Sequence, residues 1–366
     1  MEELPKEGAS PPKGLPSGVR LPVWEGSRSG TARPEARRYP DLGPPLYEDL
    51  RRGGYRRLVL VVPGGLVRRA QEMAHTLSRE TGADVISLTR SCFGACDLPS
   101  PEEAPGAQAI VTLGHAPIPN MRLDRPTYFV EMRSNEGDPL RLAEAVSKAG
   151  LPSNLGLVYA IQHQNLVAPL VEALREKGIQ ARLGGGDRRL AYPGQALGCN
   201  YTSAESIRGE VEGFLFLGTG LFHPLGLALA VDKPVWALDP LREEIEPPID
   251  REAMIRRRLL TIAQAQDART WGILVSSFAG QNRWAMAERL ADRANRHGRE
   301  PQILVFRRLD PRDLLGRNLD AYVCTACPRI ALDDGALYDR PMLTPPEFLS
   351  ALGERPLLPY TFDTYH

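Results

Sequence analysis

The chain has 366 residues, too many for one typical core, so two or three domains are expected. Its 45 basic and 45 acidic residues cancel, which argues against nucleic acid as a partner, and no apolar run approaches the roughly 20 residues a membrane helix needs. The start, MEELPKEGAS, lacks the basic segment and apolar core of a secretory signal, so a cytoplasmic location is expected.

Residues 1–44 read as a flexible or draped leader. The first 40 hold seven Pro and five Gly with no sustained periodicity, too little apolar surface to offset the entropy of ordering. A pattern then occurs three times. In the first unit (45–150), RRLVLVV (56–62) is a strand. A helix follows with Leu66, Ala70, Met73, Ala74 and Leu77 on one face, and then strands at DVISL and QAIVTLG (108–114). In the second (151–266), LGLVYAI (155–161) precedes a helix carrying Leu166, Leu170, Val171 and Leu174, then IQARL and EGFLFLG (212–218). In the third (267–366, with a C-terminal tail), WGILVSS (271–277) precedes a helix with Met286, Leu290, Ala291 and Ala294, then QILVFRR and LDAYVCT (319–325). Strand, helix, strand at a spacing of about one hundred residues predicts three small α/β domains with parallel sheets in a pseudo-threefold arrangement. Functional loops then belong at the carboxyl ends of the strands.

Five cysteines, an odd number in a chain read as cytosolic, argue against a disulfide framework. Cys96 follows the second strand of the first unit, Cys199 the second strand of the second, and Cys327 the third strand of the third. One thiol per domain therefore falls at a predicted carboxyl end, and Gly94, Gly198 and Pro328 mark tight turns beside them. Three soft ligands meeting at a crevice suit an iron–sulfur cluster with one open iron, or zinc. A thiol nucleophile and simple burial are the other readings. Only Cys324-x-x-Cys327 has local zinc-like spacing. Cys92-xxx-Cys96 imitates half of the CxxxCxxC loop of radical enzymes, but Pro99 stands where its third cysteine belongs. Cys92 and Cys324 end strand-like runs and read as bystanders.

In order along the chain come YRRLVLVVPGGLVRRAQEMA, CFGACDLP, PGQALGCNYTS, FLFLGTGLFHPLGLALAVDKPVWALDP, TWGILVSSFAGQ, and TACPRIALDDG followed by YDRPMLTPPEF. Together, over roughly residues 45–350, they resemble the archaeal diphthamide synthase subunit family, which starts diphthamide formation on translation elongation factor 2. The resemblance implies a homodimer of three-domain subunits with Cys96, Cys199 and Cys327 holding a 4Fe–4S cluster. S-adenosyl-L-methionine would bind at the open iron and be cleaved, with an electron from a separate donor, to methylthioadenosine and a 3-amino-3-carboxypropyl radical. That radical would add to C2 of a histidine in elongation factor 2. The chain departs from the family at Pro63-Gly64-Gly65, where Pro-Glu-Gly is usual, and at Ala116-Pro117 after Gly114-His115, where Ser-Cys is frequent.

The same resemblance makes Gly218, Gly220 and His223 of GTGLFHPLG candidates near the cluster or adenosine. Gly280 and Gln281 open the third-unit helix as candidates for the methionine carboxylate, and Arg329 is a counter-charge to the cluster or a carboxylate. His115 reads as a local hydrogen-bonding group, Asp239 and Pro240 as a cap, Asp333 and Asp334 as turn residues, His75 as surface, and IRRRLL (255–260) as a solvated helix face. Two other functions share this constellation: a quinolinate-synthase-like, cluster-dependent dehydratase, and a non-catalytic, cluster-binding supporting subunit.

Overall fold

The computed structural model describes residues 35–366 as three α/β units, each built on its own sheet. Asp84–Ser87, Arg57–Val61, Ala109–Leu113 and Thr127–Val130 lie side by side in the first, all parallel. Gln180–Arg182, Asn154–Tyr159, Gly213–Leu217 and Val235–Asp239 repeat that order in the second, again parallel. Glu300–Phe306, Thr270–Ser276, Ala321–Cys324 and Met342–Leu343 repeat it in the third. The order second, first, third, fourth recurs in all three, so the pseudo-threefold expectation is met. Short central strands such as Ala109–Leu113 and Gly213–Leu217 are buried at every residue, the signature of a sheet covered on both faces.

Local sequence explains the units. In Ala70–Thr81 the buried residues Met73, Ala74 and Leu77 share one face, and Gly82 ends the helix in the left-handed conformation. Each fully buried leucine of these cores, such as Leu58 or Leu215, contributes about 1.5–3 kcal/mol. No helix among the described residues is long and apolar enough to cross a membrane.

Several sequence expectations need correction. Most of the segment read as a leader lies outside the described residues, but Ala36–Tyr39 within it is an edge strand parallel to Thr127–Val130. Pro139–Lys148, at the end of the first unit in sequence, buries Leu142, Ala143 and Val146 in the core of the second sheet. IRRRLL is not wholly solvated. Arg258, on helix Arg251–Ala265, is buried and makes two 2.8 Å bonds to Glu347, which also accepts from Tyr360 and Thr344. A helical period puts one arginine in three on the inner face, and the carboxylate that permits this burial lies 89 residues away.

Candidate cluster site

Parallel strands deliver their carboxyl ends to one edge of each sheet, and there the three cysteine loops meet. Cys96, Cys199 and Cys327 are each half-buried, whereas Cys92 and Cys324 are buried. The last two are core residues: Cys92 packs with Val59, Val61 and Ile110, and Cys324 with Leu274, Tyr322 and Met342. The first three stay partly open to solvent, and they lie near enough to one another to affect each other's ionisation. Burial pushes the Cys96 thiol up to about 11, with the neighbouring Cys199 adding to the effect. Burial, and then the charges of Cys199 and Cys96, push Cys327 well above its ordinary value. Among the described residues no three His, Cys, Asp or Glu side chains close on a point as ligands of a single ion do.

Each loop is braced by a neighbouring domain. The Cys96 loop turns on Asp97, fully buried, whose carboxylate accepts from Arg90 at 2.7 Å and from Phe93 N at 3.2 Å, with Arg308 of the third domain 3.4 Å away. Gly280 packs directly on this loop: a Cβ there would sit 2.4 Å from Cys96 Cα. Its neighbour Gln281 donates from Nε2 to Cys96 Sγ at 3.2 Å. Gly198 is flattened against Phe222, and a Cβ would meet that ring at 2.5 Å.

Arg329, buried at the start of helix Pro328–Asp333, donates to both carboxylate oxygens of Asp333 at 2.7 and 2.9 Å and stacks 4.2 Å from the Phe222 ring centre. Its Nη1 is buried without a hydrogen-bond partner. Asp333 is thus more than a turn residue. His223 stacks on Phe216 at 5.6 Å, and burial, helped by Arg329, lowers its pKa to about 4, so the imidazole is neutral at pH 7. Gly218 and Gly220 shape this loop: a Cβ on Gly218 would strike Phe216 at 2.7 Å, and Gly220 has φ +72°. His115 lies 4.0 Å from Cys92 Sγ, Asp239 caps its turn through Leu241 N at 2.9 Å, and His75 is exposed.

Sequence reasoning missed Arg189, Arg283 and the tail. Arg189 is buried and donates to Gly280 O at 2.7 Å, and its charge and hydrogen-bonding reach draw the Cys199 thiol down against the stronger upward push of burial. Arg283 donates to Thr325 O and to Ala326 O beside Cys327, and pairs with Asp363. Their only sequence signal was arginine near a candidate cysteine loop, which a chain this rich in arginine offers in many places.

Fold and site together define a three-domain α/β protein that gathers one thiol from each domain at a shared recess. The family model described as "Putative diphthamide synthesis protein" matches residues 62–360, and the chain belongs to that family. It is 38% identical to 2-(3-amino-3-carboxypropyl)histidine synthase of Pyrococcus horikoshii over 87% of this chain and 91% of that protein. It is 30% identical to subunit 1 of the Gallus gallus enzyme, covering 86% of this chain and 78% of that one. The crystal structure of Dph2 from Pyrococcus horikoshii with a 4Fe-4S cluster superposes with a TM-score of 0.80 at 36% identity, over 87% of this chain and 92% of that chain.

Proposed function

We propose that this chain is a 2-(3-amino-3-carboxypropyl)histidine synthase that uses a 4Fe–4S cluster and S-adenosyl-L-methionine. The observation that carries the reading is the set of thiols itself: one partly exposed cysteine from each of three domains brought together, with two further cysteines left in the core. The donor set suits a three-thiolate cluster. Such a cluster is wider than a single ion, it is anionic, and the recess is bordered by the buried guanidiniums of Arg189 and Arg329. Family membership favours this reading over a quinolinate-synthase-like dehydratase or a supporting subunit.

Cys96, Cys199 and Cys327 are the ligands. Bound and reduced, the cluster supplies the electron that breaks the Cγ–sulfur bond of S-adenosyl-L-methionine, freeing the 3-amino-3-carboxypropyl radical for C2 of the acceptor imidazole. The chain's own residues hold and orient. Gln281 donates to the Cys96 sulfur, and close packing at Gly280 fixes that loop. Arg329, aligned by Asp333, offers its unused Nη1–H to the methionine carboxylate. His223, neutral on its Phe216 stack, and the Gly218–Gly220 loop border the cofactor. The acceptor is a histidine of elongation factor 2, the subunits pair as a homodimer in the cytoplasm, and a separate protein donates the electron. By sheet and core, the first domain starts with Ala36–Tyr39, the second takes in Pro139–Lys148, and the third begins near residue 266.

The test is anaerobic protein reduced with dithionite and mixed with S-adenosyl-L-methionine, followed by chromatography for methylthioadenosine and 5′-deoxyadenosine. Methylthioadenosine should dominate and vanish when any of Cys96, Cys199 or Cys327 becomes alanine. An intact, reducible cluster that cleaves neither bond would overturn the assignment.

A further inference from the structure

Residues 361–366 lie beyond the stretch matched by the family model, yet they are bonded to the Cys199 loop. Tyr365 N donates to Cys199 O at 2.8 Å, and Asn200, next to Cys199, returns a bond from Nδ2 to Tyr365 O at 2.9 Å. The Tyr365 hydroxyl donates to Asn282 O at 3.2 Å, tying the tail to the third domain. Two guanidiniums lie over its ring, Arg189 at 4.1 Å and Arg283 at 4.6 Å from the centroid.

The two arginines differ in how they are satisfied. Arg283 has Asp363 and two carbonyls. Arg189 has only Gly280 O; its Nε is buried without a partner, and among the described residues no carboxylate pairs with it. A guanidinium 3% exposed and lacking an anion is costly, unless an anion arrives. The anion this site would gather is a cluster bound through Cys199 and Cys96: the Tyr365 ring beneath Arg189 is bonded through its backbone to Cys199, and Gly280, whose carbonyl Arg189 holds, packs on Cys96. What holds the cation there beforehand is the face of Tyr365.

We propose that Tyr365 is a positioning residue: its ring holds Arg189 between the Cys199 and Cys96 loops, where the guanidinium sets the reduction potential of the cluster. The inference rests on the cluster assignment above. Positive charge beside the cluster favours its reduced, more negative state and so raises its potential. Releasing Arg189 lowers it, making the cluster harder to reduce.

The measurement is the cluster's midpoint potential and iron content in the full chain, for the wild type, Tyr365→Phe, Tyr365→Leu, Arg189→Gln and the double variant Tyr365→Leu/Arg189→Gln. Tyr365→Phe, which keeps the ring, should match the wild type. Tyr365→Leu and Arg189→Gln should each lower the reduced-to-oxidised ratio at fixed potential by on the order of tenfold, about 59 mV for one electron. The double variant should fall no further than Arg189→Gln, because both act through one contact. If Tyr365→Leu does not fold, Tyr365→Met, which fills the gap without an aromatic face, takes its place with the same expectation. An unchanged potential in the Leu or Met variant, or additive shifts, would overturn the role while leaving the cluster assignment standing. A wild-type chain that takes up no four-iron cluster would sink both.

Discussion

Cys92 and Cys96 stand four positions apart and have opposite fates. Cys92 donates its backbone N–H to Val62 O at 2.9 Å and is stitched into the first sheet, so its thiol joins the core. Cys96 lies inside the turn that Asp97 closes on Gly94 and Phe93, and stays partly exposed. Alanine at Cys96, Cys199 or Cys327 should therefore abolish the visible absorbance and iron of an anaerobically reconstituted cluster. Alanine at Cys92 or Cys324 should leave both in place and cost about 1–3 kcal/mol in denaturant unfolding as a small core cavity. Gly280→Ala is the sharper substitution. Its new methyl meets Cys96 backbone rather than a flexible side-chain end, so the loop must shift. Iron content should drop severalfold while the far-ultraviolet spectrum stays that of the wild type; full cluster uptake would show that the loop yields freely.

Elements were the most legible part of this sequence, for a physical reason. Strands such as Arg57–Val61 and Thr270–Ser276 are short apolar runs between polar turns, and helices such as Trp284–Arg296 carry their buried residues Ala287, Leu290 and Ala294 at helical spacing. The carboxyl-end rule then sufficed to bring the three cysteines together. Illegible were features whose meaning lies in a distant partner. Arg258 needs Glu347, and Tyr365 needs two arginines from separate loops. The strand Ala36–Tyr39 hid in a Pro- and Gly-rich context, because its stability comes from an edge offered by Thr127–Val130. A cross-domain clamp was hidden in the same way. Glu103 of the first domain accepts from Arg90 at 2.9 and 3.1 Å and from Arg307 of the third. Burial alone would raise its pKa, but the two arginines outweigh it and hold the carboxyl at about 2. As pH falls, the unfolded chain takes up this proton first. The clamp is thus fully stabilising above about pH 4.5 and is lost between there and about pH 2. Glu103→Gln should destabilise the chain at neutral pH by on the order of 2 kcal/mol, allowing for solvent screening, and should flatten the acid limb of the stability profile. Parallel acid limbs for the two proteins would show that the clamp does not report on folding.

At the scale of the molecule, the recess is where three independently built cores depend on one another. Without a cluster, burial and mutual repulsion keep the thiols protonated, and the loops are joined only by contacts such as Gln281 to Cys96 and Arg189 to Gly280. A cluster bound by one thiolate from each domain replaces that repulsion with three metal–sulfur bonds, and its uptake releases protons. A ligand that binds only the assembled state stabilises it by mass action, about 4 kcal/mol at a thousandfold excess over the dissociation constant. Loading should therefore raise the melting temperature of the wild type and leave that of a Cys199→Ala chain unchanged. Hydrogen exchange should slow together in Phe93–Asp97, Gly198–Asn200, Thr325–Arg329 and the tail around Tyr365, although these segments belong to different sheets. Protection confined to one of them would mean that the cluster is held by a single domain, and the threefold arrangement would then have no part in holding it.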